Sequence, residues 1–95
     1  MPKSDDWDWR FTERAEHEYE RLQPHEKERL VSKLDEIVHD QWRDPEDYLE
    51  PLTGAPHSKL RIGAFRLGAR VDRSDQLLWV YTVEKRSGAY SPGDD

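Results

Sequence analysis

Ninety-five residues, 34% apolar and 38% charged, suffice for one domain with one modest core and are too few for two. The lack of cysteine excludes disulfides and thiolate metal sites, and no apolar run reaches the roughly 20 residues of a membrane helix. A formal net charge of −6 argues against a uniformly phosphate-binding surface, so any polyanion site must be local.

Residues 1–6 are polar with nothing to bury, and with residues 91–95 they are expected to be open tails of a single domain spanning 1–95. The start MPKSDDWDW has no signal-peptide apolar stretch, so a cytoplasmic protein is the default expectation. Trp7, Trp9 and Phe11 alternate with Asp8 and Arg10, the period of a short strand with an aromatic face. Thr12 is a good N-cap with Glu13 in the first turn, and Phe11, Ala15, Tyr19 and Leu22 recur every three or four residues, which predicts an amphipathic helix. Pro24 suits the first turn of a second helix, whose buried stripe is Leu30, Leu34, Ile37 and Val38 with Val31 beside it. Asp44-Pro45-Glu46-Asp47 is biased away from long helix, and Thr53-Gly54-Ala55-Pro56 is a second turn.

From Lys59 onward the period changes to two. Leu60 and Ile62, then Phe65, Leu67, Ala69 and Val71, then Leu77, Trp79, Tyr81 and Val83 alternate with other residues, and the breaks at Gly63-Ala64 and at residues 72–75 are short enough for hairpins. A three-strand antiparallel meander follows, with Trp79 and Tyr81 expected in its core. The order β-α-α-β-β-β defines an α+β fold in which a two-helix hairpin covers one face of a small antiparallel sheet and leaves the other free. Cations lie between the apolar positions: Lys59 and Arg61, then Arg66 and Arg70, then Lys85 and Arg86. Residues 1–50 hold eight Lys and Arg against sixteen Asp and Glu, whereas residues 51–93 hold seven against three. An exposed sheet face that gathers guanidinium groups suits a phosphate chain, because arginine grips phosphate through a planar fork. His17, His25 and His39 are scattered without an i, i+4 partner, so no metal site is expected. Ten arginines against five lysines, with eleven aspartates, also match the acidic surfaces of proteins from high salt.

In this order the residues resemble the RelE/ParE superfamily of type II toxin–antitoxin toxins. The resemblance runs from Trp9 to Tyr90 and rests on the helical hairpin FTERAEHEYERLQPHEKERLVSKL, the PLTG turn, the hairpin KLRIGAFRL and the ending VYTVEKRSGAY. It implies a metal-independent, ribosome-dependent mRNA endoribonuclease with no cofactor, in which a ribose 2′-hydroxyl attacks the adjacent phosphate. It also implies an antitoxin partner. Matched by motif, Lys59 resembles the lysine before the central hairpin and Arg66 the arginine that grips the scissile phosphate. Arg86 resembles the arginine facing the leaving oxygen, and Tyr90 the tyrosine that stacks on the nucleotide. His57, Arg61, Arg70 and Lys85 are the accompanying RNA-binding candidates.

The chain departs from that branch in having His57 where a second lysine is frequent and Glu84 beside Lys85-Arg86. Two other readings therefore stay open at this stage. One is a ParE-like toxin directed at gyrase; the other is a degenerate toxin fold that only binds its antitoxin.

Overall fold

The computed structural model of the chain describes residues 7–85. Asp8–Phe11 forms β1, with Trp9 and Phe11 turned towards the core side and Asp8 and Arg10 exposed. The Phe11 ring stands edge-on to Trp9 at 5.0 Å and packs against Tyr19 at 4.9 Å, and the Trp9 indole donates to Asp35 at 2.8 Å, so β1 is tied to both helices. The Thr12 hydroxyl accepts from the Ala15 N–H and starts α1 (Glu13–Glu20), as its position predicts.

The second helix, α2 (Pro24–His39), opens on a reciprocal cap in which the Gln23 N–H donates to Glu26 Oε1 at 2.9 Å. It buries the predicted stripe of Leu30, Leu34, Ile37 and Val38. Asp40 then turns the chain: Oδ1 accepts from the Trp42 and Arg43 N–H groups and Oδ2 from the Tyr48 hydroxyl at 2.5 Å. A 3-10 turn at Pro45–Tyr48 occupies the Asp-Pro segment and leads into a two-residue strand, β2 (Leu49–Glu50).

The remaining strands are β3 (Ser58–Ile62), β4 (Phe65–Asp72) and β5 (Leu77–Lys85), giving the sheet order β1-β5-β4-β3-β2. The α+β class and the helical hairpin over one face are as expected. The sheet is mixed, however, because β1 pairs with β5 in parallel while all other pairs are antiparallel. The chain crosses both helices between β1 and β5, and that long crossover permits a parallel neighbour which a tight hairpin could not supply. Gly63 takes φ +56° in the β3–β4 turn, a conformation that most side chains disfavour.

One core expectation is corrected. Pairing between β4 and β5 shifts by one residue between Gly68 and Ala69, so Gly68 faces Thr82 but Ala69 faces Val80, and Tyr81 is the inserted residue. Before the shift Leu78 and Val80 point inward, and after it Val83 does. Trp79 and Tyr81 are half-buried: the register partners of Trp79 put it on the face without helices, and Tyr81 lines a cleft with Trp79 and Arg70 on that face. The core is closed instead by Leu30, Leu34, Leu60, Leu67 and Leu78, all essentially inaccessible, whose truncation to alanine typically costs ~2–5 kcal/mol each.

Candidate nucleic-acid interface

The open face can be read in rows, because register partners on adjacent strands project to the same side. One row holds Arg61, Arg66 and Glu84, and the next holds Glu50, Lys59, Gly68 and Thr82. Beyond the bulge, Arg10, Trp79 and Arg70 form a third. Arg66, expected between the apolar positions of this strand, is exposed while Phe65 is buried.

Arg61 and Arg66 are directly opposite on an antiparallel pair, which starts both side chains from neighbouring positions on one face. Neither makes an ion pair with any described residue, although Glu84 is opposite Arg66 on its other flank. Facing like charges are unfavourable in an otherwise solvated sheet, and a bound anion would relieve them. Lys59 is on the same face with its stem largely covered, and its ammonium pairs with Glu50 at 3.0 Å. The Lys59 hydrogen bond and charge, with a smaller contribution from Arg61, hold the Glu50 carboxyl below its ordinary range. Glu50 is mostly exposed, so this pair is weak and an incoming phosphate can exchange for the carboxylate.

His57 precedes β3 and lies over Gly68, stacked on the Tyr81 ring at 5.9 Å with 23° between planes. Its Nδ1 is buried and has no hydrogen-bond partner among the described residues. Glycine at position 68 makes room for the imidazole, and Thr82 supports the site from the other side by accepting the Gly68 N–H at 3.0 Å. His57, Lys59, Arg61, Arg66 and Arg70 are therefore brought to one surface.

Lys85 is not among them. It is the register partner of Phe65, on the helix side, where its ammonium meets Glu26 Oε2 at 2.5 Å. Glu26 thus uses one oxygen to cap α2 and the other to anchor the end of β5, and the Lys85 hydrogen bond, followed by the Gln23 N–H, holds its carboxyl below the usual range. Lys85 was expected beside the other RNA-binding candidates; it instead shares the phase of Val83 and lies on the helix side, paired with Glu26. Arg86 and Tyr90 lie outside the described residues. Arg73 is occupied by Glu46 and by Asp44 at 3.4 Å, which fasten the β4–β5 turn to the 3-10 turn. Sequence reasoning did not select Arg10, although its alternation with Trp9 and Phe11 already assigned it to the face opposite the aromatics. Among the described residues no three His, Asp or Glu side chains converge as metal ligands.

No family model and no curated protein sequence matches the chain. Solved structures do. The RelBE2 toxin–antitoxin complex of Mycobacterium tuberculosis superposes with a TM-score of 0.75 at 23% identity, over 90% of this chain and 98% of that one. The intact Escherichia coli RelBE toxin–antitoxin complex matches at 30% identity and a TM-score of 0.62, over 83% of this chain and 95% of that one. The isolated Escherichia coli RelE toxin gives 26% identity and a TM-score of 0.61, over 83% of each chain.

Proposed function

Because this chain belongs to the RelE family of toxins from toxin–antitoxin pairs, we propose that it cleaves mRNA on the ribosome and that its open sheet face is the cleavage surface. The observation that carries the reading is the Arg61–Arg66 register pair, two exposed arginines that make no ion pair with a described carboxylate. They hold the scissile phosphate, and Lys59 joins them when the phosphate displaces Glu50. The adjacent 2′-oxygen attacks phosphorus as it loses its proton, the bond to the 5′-oxygen breaks and that oxygen takes a proton from water, so the products end in a 2′,3′-cyclic phosphate and a 5′-hydroxyl. His57 is the side chain on this face suited by type to take the proton of the 2′-hydroxyl. Arg86 at the leaving oxygen and Tyr90 against the base complete the proposed set. Charge on the phosphorane is stabilised by cations already in position, and removing one such group typically costs about 100- to 1,000-fold in rate.

The proposed partner is an antitoxin chain that covers the same face and presents carboxylates to it, which would block RNA by occupying its contacts. Glu84 opposite Arg66 and the Glu50 pairing of Lys59 favour a second reading, a fold that binds its antitoxin without cutting RNA. Incubation of the purified chain with programmed ribosomes, followed by analysis of RNA ends, separates the two. New 5′-hydroxyl ends and 2′,3′-cyclic phosphates support cleavage by 2′-hydroxyl attack. Intact mRNA together with tight antitoxin binding supports the second reading.

A further inference from the structure

The third row of the open face is not used by the proposed cleavage chemistry. In it Trp79 is flanked by Arg10 on β1 and Arg70 on β4, one arginine on each side of the indole. Neighbouring strands are ~4.8 Å apart, so the two arginine backbones are separated by about twice that distance with the aromatic ring between them. Neither arginine makes an ion pair with a described residue. Trp79 and Tyr81 line a cleft of about 330 Å³ with Arg70, Val71, Asp72 and Arg73, a volume at the lower end of the range for small-molecule sites. One face of Tyr81 is taken by His57, Arg73 is occupied by Glu46 and Asp44, and Asp72 Oδ1 accepts the Asp75 N–H at 3.1 Å, so the groups left to meet a ligand there are Trp79, Arg70, Val71 and Asp72 Oδ2.

An indole whose two strand neighbours are arginines, both without an ion pair among the described residues, is suited to an unpaired nucleotide. The base stacks on the ring, and the phosphates on either side meet arginine; base–aromatic stacking does not depend on which base is present. The cleft is apart from the cleavage row, since Arg70 is four residues from Arg66 along β4, or ~13 Å. A wall of aliphatic side chains would suit an apolar ligand better, and a protein partner would be expected to bury Trp79 without needing both arginines.

We propose that Trp79, with Arg10 and Arg70, forms a second nucleotide subsite that captures a base of the mRNA outside the scissile pair and fixes the register of the strand on the sheet. The proposal rests on the RNA-cleaving reading above and adds a positioning element to it.

The test is single-turnover cleavage of mRNA on programmed ribosomes with the toxin titrated, for wild type, Trp79→Leu, Trp79→Phe and Arg66→Ala. Each is assayed on intact mRNA and on a series with one abasic residue at successive positions around the cut. Trp79→Leu is expected to raise the half-saturating concentration roughly 5- to 150-fold, the equivalent of one lost stack, while Trp79→Phe stays near wild type. One abasic position outside the scissile pair should weaken the wild type by a similar factor and leave Trp79→Leu no weaker than before. Equal half-saturation of Trp79→Leu and wild type overturns the proposal, as does a Trp79→Leu defect that persists undiminished on every abasic mRNA. If Trp79→Leu does not fold, the abasic series with wild type decides, and an unchanged half-saturation at every outer position is the overturning result. Loss of plateau rate in Arg66→Ala with no effect at Trp79 removes only the second subsite. Wild type that leaves all mRNA intact removes both readings.

Discussion

Gly68→Ala tests the seating of His57 without altering a charged group. An ideal Cβ at position 68 would stand 2.7 Å from His57 Cε1, 2.8 Å from His57 Nδ1 and 2.8 Å from Thr82 Oγ1. Comfortable non-bonded separations are ~3.5–4.0 Å, so a neighbour has to move by roughly an ångström. Thr82 is β-branched and held by the Gly68 N–H, which leaves His57 as the group that swings away. Inserting a methyl into such a space typically costs about 1–3 kcal/mol, and replacing glycine in a strand returns roughly 0.5–1 kcal/mol through the unfolded chain. The net destabilisation is thus roughly 0–2.5 kcal/mol, a fall in Tm of up to about 20 °C for a domain of this size. Thermal unfolding by circular dichroism measures it. Cleavage on programmed ribosomes should fall further than stability, by up to about 100-fold, because a shift of an ångström in a positioned group is sufficient for that loss. Adding His57→Ala to Gly68→Ala should restore most of the lost Tm and none of the cleavage. Unchanged Tm and activity in Gly68→Ala, or an undiminished loss of Tm in the double variant, would refute the reasoning.

Glu84→Gln removes a carboxylate opposite Arg66 and is expected to tighten single-stranded RNA binding a few-fold at low ionic strength, measured by fluorescence anisotropy; weaker binding would contradict it. The depressed Glu26 carboxyl contributes stability that is present above the ordinary carboxylate range, near pH 4.3, and lost as pH falls through its lower folded value. Urea midpoints should therefore drop less between about pH 5 and 3 in Glu26→Gln than in wild type, and an equal drop would argue against the Lys85 pairing. With sixteen acids among the first fifty residues, Tm is expected to rise on adding molar KCl, while affinity for single-stranded RNA falls. A flat Tm would remove the high-salt reading of the composition.

Much of this architecture was legible because its signals are local. Thr12 and Pro24 mark helix starts by their own chemistry, the stripe from Leu30 to Val38 has one period throughout, and Gly63-Ala64 closes a hairpin whose two sides alternate without interruption. Arg61 and Arg66 could accordingly be assigned to the solvent face. Period two fails where a strand gains a residue. The bulge at Tyr81 reverses the inside and outside of β5, so a count carried from Val83 back to Trp79 buries the wrong side chains, whereas Lys85 keeps the phase of Val83 and meets Glu26 on the helix side. Arg10 was hidden for another reason. Its alternation is clear, but only the parallel pairing with β5 sets it beside Trp79, and strand neighbours separated by two helices leave no mark in a single sequence. The pairings of Lys59 with Glu50 and of Lys85 with Glu26 are likewise tertiary, joining residues that composition alone treats as separate charges.

The central claim is that guanidinium groups on the bare sheet face hold the phosphate at which RNA is cut. Arg66→Ala tests it most directly, because this side chain is exposed and makes no ion pair with a described residue, so its removal is expected to leave Tm close to wild type. Single-turnover cleavage of mRNA on programmed ribosomes should fall by about 100-fold or more in the variant. Equal cleavage by Arg66→Ala and wild type, at matched folding, would contradict the account.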